Sequence, residues 1–313
     1  MSKPQIRISS SALKNLHCDR KFYLEVLKGY KTKNELKFDN PAMQYGTCLH
    51  RFAEVYVQDY NEREALMAMI KKRKSATLPT RIPKRNAYLF DDGHLMGAAL
   101  KLQKFLDEDR ANCEVVKTPN GTTLSEFQFG IPYASYPECD ILICGTIDKV
   151  TKIRGGCYAL GDYKSTTAWD QTSFFNGYLI DVQPRMYRWA MRWFAKEYPD
   201  SIYEEIAGGP LGFYIDGIFL TKDEVTVKRS PVFHDYERDN QEFSALLASA
   251  VARIVWLNSH DRLPLRTGTL TNTCREPYGL CKYAGVCSMP DARGEETLLA
   301  AQYKQKMYDP LNY

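Results

Sequence analysis

Three features of the chain predict an α/β fold with a central mixed β-sheet flanked by helices. Residues 9–111 carry apolar side chains at helical spacing. Residues 114–163 form a run of strand-like segments separated by Asn-Gly, Pro and Gly-Gly turn signals. Residues 169–257 read as helix, two strands and a long helix. Helices that precede, interrupt and follow a block of strands pack onto the faces of a sheet. With 44% hydrophobic and 26% charged residues among 313, the chain has the apolar material for a sizeable core.

The elements follow in order. In "SSSALKNLHCDRKFYLEVLKG", Ser9, Ser10 and Ser11 can cap a helix whose apolar positions Leu13, Leu16, Phe22, Tyr23, Val26 and Leu27 run to Gly29. A second helix is expected from Ala42 to about Lys74, with Tyr45, Leu49, Phe52, Ala53, Tyr56 and Val57 on one side. Pro79 and Pro83 in "TLPTRIPKR" end it. A third covers about Gly93 to Ala111. The strands "CEVVKT", "TLSEFQFGI", "DILICGTIDKVTKI" and "CYALGDYK" come next, then helices over about Trp169–Tyr198. The strands "GPLGFYIDGIFLT" and "EVTVKRS" precede a long helix over about Asp235–Leu257. The whole is read as a single domain, 1–313, with a helical N-terminal part (1–111), a core (112–235) and a C-terminal helix and cysteine region (236–313).

Composition excludes several classes. No apolar run approaches the roughly 20 residues of a membrane span, and "MSKPQIRISS" lacks the apolar h-region of a secretory signal. Nine cysteines, an odd number, point to a reducing compartment rather than a disulfide framework, so a cytoplasmic location is expected. The net charge of +4 is mild, but its distribution is uneven. Residues 1–33 carry eight Lys/Arg against Asp19 and Glu25, and residues 70–85 carry seven with no acid. Such runs are either solvated faces or places where phosphates are neutralised.

The chemistry concentrates around Asp162. Asp162 and Lys164 are two apart in a strand and share a face, while Tyr163 points away. A lone pair of this kind is either a surface ion pair or part of a site that needs a carboxylate beside an ammonium. The Gly155-Gly156 turn predicts a hairpin that makes Asp148 and Asp162 cross-strand neighbours. Two such carboxylates repel unless a cation lies between them, and a hard divalent ion such as Mg²⁺ or Mn²⁺ suits the oxygens. Lys164 would then face the same cavity and stabilise charge on a phosphate or orient a water. Glu126 is a further acid in a strand, equally readable as an exposed residue of an alternating pattern. His50 lies on the core-facing side of its helix. Gln183 and Tyr187 are one helical turn apart and project together.

The order His50, Gly145-x-x-Asp148, Asp162-x-Lys164 and Gln183-x-x-x-Tyr187 resembles the PD-(D/E)xK nuclease superfamily, its RecB-like exonuclease branch in particular. The resemblance implies a restriction-endonuclease-like core. It implies Asp148, Asp162 and His50 as metal ligands for Mg²⁺ or Mn²⁺, Lys164 as the residue that supports the attacking water, and Gln183 and Tyr187 as residues that shape the site. The activity it implies is metal-dependent hydrolysis of DNA, by an exonuclease acting on ends or single strands in recombination, repair or replication. A catalytically silent DNA-binding module and an RNA-directed nuclease are the alternatives. No GxxxxGK[ST] is present, so unwinding would come from a helicase or recombination partner.

Cys274-x6-Cys281-x5-Cys287 places three thiols in a Pro/Gly-containing loop, and Cys18 lies at the other end of the chain. Four such cysteines can hold Zn²⁺ or a [4Fe–4S] cluster. The same resemblance, to AddB-type and CRISPR-associated members with one N-terminal and three C-terminal cysteines, implies the cluster. The two chain ends would then be joined by a cysteine cluster. The x6 gap is longer than usual in that group, which singles out Cys274. Cys48, Cys113, Cys139, Cys144 and Cys157 read as small apolar or strand residues.

Overall fold

The computed structural model describes residues 3–79, 84–168, 170–232, 236–259, 263–269, 274–276, 279–307 and 309. Seven strands form one mixed sheet. Its path runs Gln5–Ile8, Asp140–Ile153, Tyr158–Thr166, Leu211–Leu220 and Val225–Pro231, and the strands Cys113–Val115 and Ser125–Ser135 also pair with Asp140–Ile153. Gln5–Ile8 runs parallel to Asp140–Ile143, and Tyr158–Thr166 runs parallel to Leu211–Leu220. Asp140–Ile153 is antiparallel to both Cys113–Val115 and Tyr158–Thr166, as Leu211–Leu220 is to Val225–Pro231. A parallel pair requires a crossover, which here carries the helices Gln171–Asn176, Val182–Glu197 and Ile202–Ala207. The predicted fold class holds. No helix among the described residues is long and apolar enough to cross a membrane.

Contacts group the chain into two compact units, Met1–Lys37 with Phe129–Gly145 and Gln241–Tyr313, and Phe38–Gln128 with Thr146–Asn240. In the second, the helix Pro41–Asp59 starts on an Asn40 cap with Pro41 at its first turn. It buries Tyr45, Leu49, Phe52 and Ala53 against Leu95, Ala98 and Leu102 of the helix Asp92–Arg110 and against Tyr163 and Ile218 of the sheet. Each large apolar side chain removed from water there contributes about 1.5–3 kcal/mol. In the first unit, Tyr23, Leu24, Tyr283, Val286, Leu299 and Tyr303 form a separate core. There the strand Tyr30–Thr32 pairs with Tyr303–Gln305, so early and late residues of the chain meet.

Two sequence readings change, and one strand is added. The expected helix from Ala42 to Lys74 is two helices, Pro41–Asp59 and Glu62–Lys74. Tyr60 takes a left-handed conformation (φ 55°), and the Asn61 side chain caps the second helix by accepting from the Glu64 N–H. The strained Tyr60 is held by the edge of Tyr56 and by Arg110 over its ring at 3.9 Å. The expected helix ending at Gly29 is also interrupted. Cys18 is extended (φ −138°, ψ 114°), and the Asp19 N–H donates to Thr267 rather than along the helix. The helices expected over 169–198 are Gln171–Asn176 and Val182–Glu197, with an Asp181 cap between them. Gln5–Ile8 is a strand that the sequence does not signal, because four residues are too few to show alternation. Of the "TLPTRIPKR" breaker, residues 80–83 lie outside the described residues.

Candidate active site

The Gly155-Gly156 turn (φ 109° and 92°) closes the hairpin as the sequence predicts. Its register pairs Lys149 with Gly161, which places Asp148 across from Asp162 at the next position. Asp148 is buried, and its Oδ2 accepts a 2.7 Å hydrogen bond from the Tyr163 N–H. Asp162 is fully buried; Lys164 is ion-paired with its Oδ2, and the Gln183 amide donates to its Oδ1 at 3.0 Å. Gln183 also donates to the Tyr187 hydroxyl at 2.8 Å. Both atoms of the Asp162 carboxylate are therefore fixed by the chain's own cations and dipoles.

His50 comes from one turn beyond Gly46. A Cβ on Gly46 would collide with the Ser165 hydroxyl, so glycine is what lets this helix approach the Asp162 strand. The His50 Nδ1 lies 3.5 Å from Asp148 Oδ2, and its ring meets Tyr163 edge-on. Burial, helped by Lys164 and opposed by Asp148, pushes its pKa down, so the imidazole is neutral at neutral pH and has a lone pair for a metal.

Glu126, the further strand acid, lies with them. Ligand atoms of His50, Glu126 and Asp148 all lie within 4.8 Å of one another, a spacing at which three side chains can share one ion. Glu126, second in the strand Ser125–Ser135, takes a left-handed conformation (φ 49°), an uncommon geometry for a non-glycine residue. Burial first, then Asp148, Glu54 and Asp162, push its carboxyl up to about 9 against the pull of Lys164. Burial and Asp148 likewise hold Asp162 up, to about 7, although Lys164 opposes them. Lys164 itself is raised, because Asp162 and Asp148 outweigh its burial, and it stays an ammonium. Three carboxyl groups thus crowd one lysine, and the rise of two of them shows that all three do not ionise together without a further cation. A divalent cation relieves that repulsion and is bound by the oxygens and nitrogen present. The sequence offered Glu126 as a further strand acid, equally readable as an exposed residue, and alternation alone did not separate the two readings.

On the opposite face of the same strands lies a buried ionic ladder. Lys149 Nζ contacts Asp216 Oδ2 at 2.7 Å and donates to the Tyr163 hydroxyl at 2.9 Å. Arg229 grips Asp216 through Nε (2.7 Å) and Asp109 through both terminal nitrogens (2.6 and 2.7 Å). Lys149 and Tyr163 alternate with Asp148 and with Asp162 and Lys164, so the ladder fastens from behind the strands that present the site. Charged residues in the middle of the apolar runs "TIDKVTKI" and "GFYIDGIFL" were the legible signal for it.

In the first unit, Cys18, Cys274, Cys281 and Cys287 line one pocket together with Lys21, Arg266, Tyr283 and Ala284. The break at Cys18 and the 2.8 Å hydrogen bond from the Cys281 N–H to the Cys274 carbonyl are local features of that pocket. Burial, with Cys18 and Cys281 nearby, raises the Cys287 thiol against Arg20 and Arg266. Among the described residues, no three of these sulfurs lie within 4.8 Å of one another. Tetrahedral zinc with bonds of about 2.3 Å draws sulfurs to about 3.8 Å.

Residues 7–288 match the model of the PD-(D/E)XK nuclease superfamily. The chain belongs to that superfamily. Among solved structures, one from Eubacterium rectale named "Putative exonuclease" is 13% identical with a TM-score of 0.45, covering 91% of this chain and 94% of that one. The structure of SSO0001 is 12% identical with a TM-score of 0.31, covering 93% and 90%. No curated protein matches the chain. The matched range includes Asp148 and the Asp162-Tyr163-Lys164 stretch.

Proposed function

We propose that the chain is a metal-dependent DNA exonuclease, with Asp148, His50, Asp162 and Glu126 around one divalent ion and Lys164 beside it. The observation that carries this reading is the crowding of ionisable groups: His50, Glu126 and Asp148 offer ligand atoms within 4.8 Å of one another, and burial with mutual repulsion raises the Glu126 and Asp162 carboxyls. Bound Mg²⁺ or Mn²⁺ supplies an activated water and neutralises charge on the phosphodiester. The residues of the chain do the rest. Lys164 presents an ammonium, locked by Asp162, to the charge that develops on the phosphate oxygens. Gln183 keeps Asp162 in one rotamer, and Tyr187 keeps Gln183 in place. The Tyr163 N–H fixes Asp148. Lys71, Lys72 and Lys74 offer sequence-independent contacts to a phosphate backbone. Arg73 does not belong with them, because it is buried, ion-paired with Asp92 and hydrogen-bonded to the Leu89 carbonyl.

The four-cysteine pocket is the proposed seat of a [4Fe–4S] cluster. Four thiols around one space, bordered by Lys21 and Arg266, suit a group held by negative thiolate ligands. Its contribution there would be structural. Action on DNA ends or single strands, a partner that unwinds DNA, and a cytoplasmic setting complete the reading. End-labelled single- and double-stranded DNA incubated with Mn²⁺, Mg²⁺ or EDTA tests it. Stepwise shortening from an end, stopped by EDTA, is expected. Uncut DNA under all conditions would favour a silent binding module, and cleavage of RNA alone would redirect the substrate.

A further inference from the structure

Beside Lys164 lies a surface that phosphate chemistry does not explain. Lys164 pairs in register with Gly217 on the neighbouring parallel strand, so the two positions face the same side. A Cβ at Gly217 would come within 2.9 Å of Phe175 and 3.1 Å of Phe174. The glycine therefore makes room for two rings next to the lysine. Phe174 packs edge-on against Phe175 (5.2 Å between centroids), Phe219 (5.2 Å) and Tyr178 (5.3 Å). The phenol of Tyr178, pushed up to about 12 by burial together with Asp162 and Asp181 and opposed by Lys164, is within electrostatic reach of the catalytic pair.

Phe219 is buried and anchors the cluster, but Phe174, Phe175 and Tyr178 are only half-buried, and the next two residues, Leu179 and Ile180, are 40% and 83% exposed. From Gln171 to Ile180 the chain carries no charged residue. Apolar residues left this open at the rim of an ion-binding cavity are unsuited to a phosphate backbone. They suit the π-face of a nucleobase, which stacks on aromatic side chains whatever its sequence. We propose that Phe174, Tyr178 and the Leu179-Ile180 tip form a stacking shelf for the base that flanks the scissile phosphate, so that the strand enters the cavity unpaired. A base in a duplex already has neighbours on both faces, so the shelf selects single-stranded DNA or a frayed end. This inference rests on the reading of the cavity as a nuclease site and adds the conformation of its substrate.

The test uses the full chain in Ca²⁺ with a single-stranded oligodeoxynucleotide carrying 2-aminopurine at successive positions, and a duplex of the same sequence. Wild type is expected to quench 2-aminopurine at one or two adjacent positions. Tyr178→Leu, which keeps an apolar side chain but removes the aromatic face, is expected to lose the quenching and bind the single strand roughly five- to a hundredfold more weakly. Its duplex affinity should stay unchanged, and Tyr178→Phe should restore both single-strand properties. A role in packing alone would be satisfied by leucine. Wild-type quenching and single-strand affinity in Tyr178→Leu overturn the shelf. Should that variant fail to fold, Ile180→Ser, at an exposed position, decides in its place, with wild-type single-strand affinity again overturning the proposal. Cleavage by wild type in Mn²⁺ is read separately. Quenching without cleavage supports the shelf and sinks the nuclease reading, whereas cleavage with an unaffected Tyr178→Leu sinks the shelf alone.

Discussion

Replacing Asp216 by asparagine should destabilise the protein strongly, and in a pH-dependent way. Asp216 is fully buried between Lys149 and Arg229. Arg229 keeps its two-pronged grip on Asp109 when Asp216 is neutral, but Lys149, 2% exposed, is left with neutral partners and no counter-charge. Stranding a buried charge in this way costs about 3–5 kcal/mol. At about 2–4 °C per kcal/mol for a domain of this size, Tm should fall by about 6–20 °C. Burial alone would raise the Asp216 carboxyl, but Lys149 and Arg229 outweigh it and hold it below the ordinary range. A depressed carboxylate contributes stability that is present above its unfolded pKa and lost as pH falls through the folded value. The gap between wild type and Asp216→Asn should therefore be full at pH 7 and shrink under acid, below about pH 4. Denaturant melts at pH 7, 5 and 3.5 measure it. Lys149→Met should rescue part of the loss in the double variant, as a coupled pair requires. A pH-independent gap, or strictly additive losses, would refute the assignment of the ladder.

Asp162→Ala or Lys164→Ala should abolish cleavage of end-labelled DNA with little loss of secondary structure by circular dichroism, and undiminished cleavage by either would remove it from the site. Neutralising Lys71, Lys72 and Lys74 while leaving Arg73 should weaken DNA binding and flatten its dependence on salt, by about one unit of slope for each phosphate no longer neutralised. An unchanged slope would make that helix face merely solvated. Protein purified without oxygen should be brown and contain equal iron and sulfide, and Cys281→Ser should lose both and melt earlier. A colourless preparation with stoichiometric zinc would decide for a zinc clasp. Cys274→Ser is the informative companion, because iron retained there would place the fourth ligand elsewhere.

Much of the site was legible because local rules fixed it. The Gly155-Gly156 turn sets the hairpin register, and register alone makes Asp148 face Asp162. Alternation puts Asp162 and Lys164 together, and helical spacing aims Gln183 and Tyr187 the same way. What the spacing did not carry is what each side chain grips. Gln183 clamps a carboxylate of the chain itself, an arrangement that depends on the crossover returning its helix to the Asp162 strand. Glu126 stood out only as a further strand acid, and alternation alone did not separate a site residue from an exposed one. Arg73 looked like one more charge in a basic run, yet its guanidinium turns inward to the Leu89 carbonyl. The break at Tyr60 was hidden because the apolar period continues across it, whereas left-handed Tyr60 ends one helix and the Asn61 side chain starts the next.

The central proposal is that His50, Glu126 and Asp148, with Asp162 beside them, hold a divalent ion. Titration of the protein with Mn²⁺, followed by the loss of the free-ion paramagnetic resonance signal, tests it without any assumption about substrate. Wild type should take up Mn²⁺ at one site, and Asp148→Asn, which keeps shape and removes the charge shared by the group, should take up little or none. Equal uptake by the two proteins, or none by wild type, would contradict the account.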